Sequence, residues 1–300
     1  MGKNPKEIRL NGHIDLHLHS NMSDGVLSPE KLVATAAKAG LKTIALCDHD
    51  TVAGVSSAQS AGLQHGLEVI SGVELSVAFK GHKDVHLLGY FIDITAPELL
   101  QNLQKFSDHR SNRTTEIIEA INLMLSKKGA PPINQQEVEQ LASGVIGRPH
   151  IARILISKGH ARNMEDAFQR FLIPCNVPKL YWDLEEAVKT IHYTGGIAVL
   201  AHPTTISRDR KKLTDLITEL GQIGLDGLEV YNALASESEM IFLQGLARKL
   251  NLLMTAGSDF HGIEGVDQLG KGRGGIRFSE CLLPPIRQRV AIRATTTTST

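Results

Sequence analysis

"HIDLHLHSNMSDG", residues 13–25, reads as one short buried strand, IDLHL, running into a turn, and it carries His17, His19 and Asp24. Side chains two apart on a strand share a face, so His17 and His19 can grip one cation together. Taken alone, such a pair reads equally well as two polar residues at a strand end. The surrounding sequence separates the two readings.

Downstream, the first third alternates apolar runs with helical patterns. SPEKLVATAAKAG follows, with Ser28 as cap, Pro29 in the first helical turn and Gly40 at the end. Next come strand TIALCDHD, a helix from about Thr51 to His65, and strands LEVISGVELSV and VHLLGYF. The alternation returns late: helix LEEAVKTIHYTGG, strand IAVLAHP, a helix after Arg208, strand GLEVY, a helix opened by Ser236 with Glu239 as capping box, and strand LLMTAGSDFH. Repeated βα units predict an α/β fold with a largely parallel sheet. Over residues 96–182 helical patterns dominate, with turn-rich KKGAPPI and IPCNVPKLYW. This predicts a helical insertion at 96–182, flanked by 1–95 and 183–293 as the main domain, with 294–300 as a disordered, low-complexity tail.

Composition bounds the function. Hydrophobic residues make up 42% and aromatics 4%, so the core is built from Leu, Ile, Val and Ala. Basic and acidic residues number 32 each, so no global field draws the protein to nucleic acid or an anionic membrane. Cys47, Cys175 and Cys281 are too scattered for a disulfide framework and suit a reducing compartment. MGKNPKEIRL lacks the apolar core of a signal peptide, and Lys6 stands where a myristoylation site needs Ser or Thr. No uncharged run approaches the roughly 18 residues of a membrane span, so the expectation is a soluble cytoplasmic protein without a membrane partner.

His49, His86, His202 and His261, with Asp24, Asp48, Glu74 and Asp259, all fall at or near predicted strand ends. In a parallel βα barrel such ends gather at one face. Burying imidazoles and carboxylates together costs several kcal/mol per charge unless a cation compensates. Nitrogen and oxygen donors without Cys favour Mn²⁺, Zn²⁺ or Fe²⁺, and a glutamate bridge would hold two ions about 3.5–4 Å apart.

The motifs DLHLHSNMSDG, ALCDHDTVAG, GVELS, HLLGYF, LAHP and GSDFH, over about residues 12–265, resemble the series of the PHP (polymerase and histidinol phosphatase) superfamily. The resemblance implies a distorted (β/α)7 barrel with two or three divalent ions, Mn²⁺ first, with Zn²⁺, Fe²⁺ or Mg²⁺ as alternatives. Carried over by motif, His17, His19, Glu74 and Asp259 would hold one ion. Glu74 would bridge to a second on His86 and His202, and Asp24, His49 and His261 would hold a third. Asp48 would either support a histidine or cap a strand end. His13, His65, His82, His109, His160 and His192 lie outside the motifs.

Clustered divalent ions lower the pKa of a bridging water and neutralise a phosphoryl group under in-line attack, so phosphoester hydrolysis by metal-bridging hydroxide fits. The insertion is the expected substrate lid. In GVIGRPHIARIL, Arg148 stands where Pro149 opens a helix, suited to clamping phosphate. The G-R-P-H string is similar to the branch holding nucleoside 3′,5′-bisphosphate phosphatases and 5′→3′ exoribonucleases acting on short RNA. That resemblance implies phosphate contacts from Arg148 and His150, with Lys179, Arg110 and Arg113 as weaker candidates and His150 or a metal-bound water as general acid. One departure is FLIPCNVPKLYW, where that branch has a glycine-rich run before the Val-Pro-basic segment. Balanced charge and the lack of interleaved aromatics in the insertion argue against a long nucleic acid groove. The expected substrate is a small phosphorylated nucleotide, foremost a nucleoside 3′,5′-bisphosphate losing its 3′-phosphate, or a short RNA end. The rival readings are a histidinol-phosphate phosphatase and a non-catalytic PHP module.

Overall fold

The computed structural model describes residues 13–141, 147–263 and 265–297. The chain divides into two compact units, Met1–Leu100 with Tyr181–Thr300, and Gln101–Leu180. The first unit opens with β1 (Ile14–Leu18), α1 (Pro29–Lys38), β2 (Thr43–Leu46), α2 (Val55–His65), β3 (Glu68–Phe79) and β4 (His82–Tyr90). Helices α3 (Pro97–Ser126), α4 (Gln135–Leu141), α5 (Arg148–Ser157) and α6 (Met164–Ala167) follow. The chain then adds β5 (Trp182–Asp183), α7 (Leu184–Tyr193), β6 (Ile197–Leu200), α8 (Arg210–Ile223), β7 (Gly227–Asn232), α9 (Glu237–Lys249) and β8 (Leu253–Gly257). It finishes with the short pair β9 (Lys271–Gly272) and β10 (Ile276–Arg277) and with α10 (Leu283–Thr297).

The strands of the first unit run in the order β1-β2-β3-β4-β6-β7-β8, with β5 attached to β3. The last strand returns to the first: Asp259 N donates to His17 O and His19 N to Phe260 O, both at 3.0 Å. The result is a nearly closed, distorted α/β barrel of the expected class. β1, β2 and β6 are buried on both faces, as strands covered by crossover helices should be. Leu32, Val33 and Ala36 of α1, Leu184, Ala187, Val188 and Ile191 of α7, and Leu213, Ile217 and Leu220 of α8 supply that cover. Each such Leu, Ile or Val side chain contributes about 1.5–3 kcal/mol by leaving water. The predicted caps form: Ser28 Oγ accepts from Lys31 N, and in the Ser236/Glu239 box Ser236 N donates to Glu239 Oε2 at 2.7 Å.

One strand departs from the parallel expectation. β4 is antiparallel to both β3 and β6. Only Lys80 and Gly81 separate β3 from β4, with φ of 46° and 85°, the left-handed pair that a two-residue hairpin turn requires. A parallel return would need a dozen or more connecting residues. His86 therefore sits mid-strand, opposite Ser76, instead of at a strand end. The C-terminal end differs too: α10 is helical through Thr297, where a disordered tail from 294 was expected, and 298–300 lie outside the described residues.

The second unit has its own core of Ile117, Ile121, Leu125, Ile133, Val138, Ile151, Leu155, Phe171 and Leu172. Asn122 pins the connection after α3, donating to Ile133 O at 2.9 Å and accepting from Ile133 N at 2.8 Å.

Candidate metal centre

The register of the barrel brings distant polar residues to one face. β2 pairs with β3 as far as Leu46 opposite Ser71, and beyond it His49 bridges to Glu74. Glu74 thus emerges where β2 ends, on a strand that continues into the hairpin, and the reversed β4 lays His86 beside it. β1 contributes His17 and its exit His19 and Asp24; His202 follows β6, and Asp259 and His261 follow β8.

Glu74 is fully buried and divides the cluster between its two oxygens. Oε1 lies 3.0 Å from His86 Nδ1 and 3.1 Å from His202 Nε2, which are 3.3 Å apart. Oε2 lies 3.2 Å from both His17 Nε2 and His19 Nε2, and 3.1 Å from His49 Nδ1. Asp259 Oδ1 stands 3.1 Å from His19 Nε2 and 3.5 Å from His17 Nε2. Asp24 Oδ1 is 3.3 Å from His261 Nε2, and its Oδ2 is 3.7 Å from His49 Nε2. Three overlapping groups result: His17, His19, Glu74 and Asp259; His19, Asp24, His49 and His261; and His49, Glu74 and His86. His202 joins the last through the distances above. His19 and His49 each belong to two groups, a sharing that the motif assignment did not include.

The donor set fits a metal. His17 Nε2, both ring nitrogens of His19, His49 Nδ1 and Glu74 Oε2 are buried without a hydrogen-bond partner. Such orphaned groups each cost about 1–3 kcal/mol. Their separations match donors around one cation, since atoms 2.0–2.2 Å from a tetrahedral or octahedral ion lie roughly 3–3.5 Å apart. The electrostatics agree. Burial alone would push the His17 ring down, but Glu74, Glu229 and Asp259 outweigh it and hold it well above the imidazole range. His19, equally buried, is raised to about 10 by Asp259 and Glu74, whereas burial pushes His49 down to about 3 against the pull of Glu74. Burial would raise Glu74, and His49, His17 and His86 instead hold it well below the carboxylate range. The carboxylates hold positive charge on these rings, charge that a bound cation would supply in its place.

Carboxylates absent from the motif assignment build the frame. Glu229, fully buried in β7, accepts from His17 Nδ1 and from His202 N, each at 2.8 Å. Asp15 Oδ2 accepts from Ser258 Oγ at 2.6 Å, and Asp50 Oδ1 from Ser76 N at 2.9 Å. Asp48 supports no histidine: its oxygens accept from Ser20 N, Ser20 Oγ and Ser23 Oγ at 2.6–2.7 Å, fastening the turn that leads to Asp24. In sequence, Asp15 and Glu229 were legible only as acids inside apolar strands.

A mostly imidazole, carboxylate-bridged cluster on a distorted barrel agrees with the PHP domain model, which matches residues 15–172. The chain belongs to the PHP domain family. A 5′-3′ exoribonuclease of Haemophilus influenzae is 36% identical to this PHP chain over 260 residues, covering 86% of it and 93% of the relative. A 3′,5′-nucleoside bisphosphate phosphatase of Chromobacterium violaceum is 32% identical over 256 residues, 83% of this chain and 87% of its own. Among solved structures, a protein assigned as a metal-dependent phosphoesterase from Bifidobacterium adolescentis superposes with a TM-score of 0.75 at 28% identity, covering 93% of this chain and 96% of its own.

The remaining candidates of the PHP chain lie in the second unit. Arg113 Nε donates to Val177 O at 2.6 Å and its Nη2 to Asn176 Oδ1 at 3.2 Å; Arg148 Nη1 donates to the same oxygen at 3.1 Å. Two guanidinium groups thus meet on Asn176, inside the FLIPCNVPKLYW stretch. His150 Nδ1 accepts from Gly147 N at 3.0 Å, which closes the first turn of α5. Gly144, Val145 and Ile146 of the GVIGRPH stretch lie outside the described residues. Arg110 and Lys179 flank the same region in sequence, on α3 and just after Pro178.

Proposed function

We propose that this PHP chain is a metal-dependent phosphoesterase that removes the 3′-phosphate of a nucleoside 3′,5′-bisphosphate and degrades short RNA from the 5′ end. The observation that carries this reading is the Glu74-centred cluster of nine donors, with its orphaned ring nitrogens, in a chain whose relatives are named for these two activities. Divalent ions bound there, Mn²⁺ first, would supply Lewis-acid charge for the phosphoryl oxygens and an acidified water at neutral pH. The chain's own part is preorganisation. His17, His19 and Glu74 form a fully buried floor, while Asp24 is 48% exposed at the rim, so a substrate phosphate approaches from the Asp24 side. Asp48, Asp15 and Asp50 hold the ligand-bearing loops still.

Arg148 and His150 are the proposed phosphate contacts, with Lys179, Arg110 and Arg113 in support. The pairing of Arg113 and Arg148 on Asn176 favours this, because adjacent guanidinium forks suit a dianionic phosphate. The test is phosphate release from 3′-phosphoadenosine 5′-phosphate by Mn²⁺-reloaded His202→Ala and Asp259→Ala proteins. Each should fall by more than about 100-fold, beyond the 10–100-fold typical of residues behind a metal ligand. Full activity in both would refute the assignment, and turnover of histidinol phosphate alone would redirect it.

A further inference from the structure

We infer that Glu229 is a positioning residue that sets the tautomer of His17 and the backbone of His202 together, so that ligands from two strands are aimed before a metal arrives. This rests on the metal-centre reading above and adds a residue that no motif assignment contains. Its two carboxylate oxygens are divided between two donors: Oε1 takes His17 Nδ1 and Oε2 takes His202 N, each at 2.8 Å. With Nδ1–H committed to Glu229, Nε2 is the ring atom left to exchange its proton for a metal, and it faces Glu74 and Asp259. The second bond acts on a strained residue. His202 has φ of 25°, a region that non-glycine residues avoid, and such strain persists only where surrounding contacts enforce it.

The packing shows that the arrangement is tight. A Cβ on Gly257 would sit 2.1 Å from His17 Cβ and 2.7 Å from Glu229 Oε1, so β8 can pass this pair only as glycine. Glu229 itself is fully buried, and its backbone O also accepts from Asn232 Nδ2 at 3.3 Å. Glutamate is chemically specific for the task, since two donors need two acceptors. Glutamine keeps the shape but offers one oxygen and one NH₂. In Glu229→Gln, the amide NH₂ faces either the His17 Nδ1–H or the His202 N–H. The first conflict drives His17 to the tautomer whose proton occupies Nε2; the second repels the strained peptide.

The experiment is Mn²⁺ titration calorimetry on the metal-stripped full chain, with circular dichroism melts in EDTA as the folding control. Glu229→Gln should bind Mn²⁺ about 10–100-fold more weakly than wild type, and Glu229→Asp, which keeps two acceptors, should recover part of the loss. A folded Glu229→Gln protein with wild-type affinity overturns the inference. Wild-type protein that binds no Mn²⁺ overturns the metal-centre reading instead. Should the glutamine variant not fold, nitrogen NMR of histidine-labelled, Zn²⁺-loaded wild type decides: a protonated Nδ1 on His17 supports the inference, and a protonated Nε2 contradicts it.

Discussion

A buried carboxylate that holds a loop differs from one that faces a metal, and Asp48 is of the first kind. Removing it takes the acceptor from Ser20 N and Ser20 Oγ and leaves Ser23 Oγ only its longer bonds to Ser20 O and Asp24 Oδ1. Asp48→Ala should therefore lose on the order of 3 kcal/mol, measured by urea unfolding in EDTA; a loss under about 0.5 kcal/mol, the range of neutral surface changes, would contradict the role. At His19 the prediction concerns pH. Burial lowers this ring, Asp259 and Glu74 raise it to about 10, and a metal must displace the proton they hold. Mn²⁺ affinity should rise from pH 6.5 to 8.5 with protons released on binding, as calorimetry in buffers of different ionisation enthalpy would record. The nine donors were legible because each stands in a short polar motif, although Glu74 and His86 lie mid-strand. Glu229 was not, because GLEVY reads as a plain strand; an acid within a buried apolar run was the available signal, since it must find a buried donor.

At the level of elements, one device recurs. Asp48 with Ser20, Asp50 with Ser76 and Asp15 with Ser258 each join a carboxylate to both the backbone N–H and the hydroxyl of one serine. Every serine lies within two residues of a proposed ligand: His19, Glu74 and Asp259 in turn. These clamps tie successive barrel segments together, and Gly257 lets β8 approach β1 closely enough for the last clamp to close. Gly257→Ala should both destabilise the fold, by about 1–3 kcal/mol for an overpacked core, and weaken Mn²⁺ binding through His17. Unchanged melting and affinity would show that the strands can part freely. Element types were largely legible from periodicity and caps. The direction of β4 was not taken from them, although the brevity of the Lys80–Gly81 connection contains it. α10 was overlooked because its polar, Thr-rich end hides a helix that Pro284 and Pro285 open.

For the molecule as a whole, α10 is held by charge at the foot of the barrel. Buried Asp226, at the entry to β7, accepts from Arg289 at 3.1 Å, Arg293 at 2.7 Å and His192 at 2.8 Å. Burial would raise Asp226, but the bond from His192 and that from Ala198 N outweigh it and depress its pKa. A depressed carboxylate stabilises the fold above its unfolded pKa, near 3.9, and that contribution is lost as pH falls below it. Asp226→Ala should cost about 1–3 kcal/mol at pH 7 by removing the buried acceptor of His192, Ala198 N and the two arginines, with the difference from wild type narrowing in acid melts. The central claim concerns the opposite end of the barrel, where Glu74 and eight further donors form one cage for several cations. Anomalous X-ray diffraction from crystals grown with Mn²⁺ tests it most directly. The account predicts at least two anomalous peaks with Glu74 bridging a pair; rings turned apart with no peak among them would contradict it.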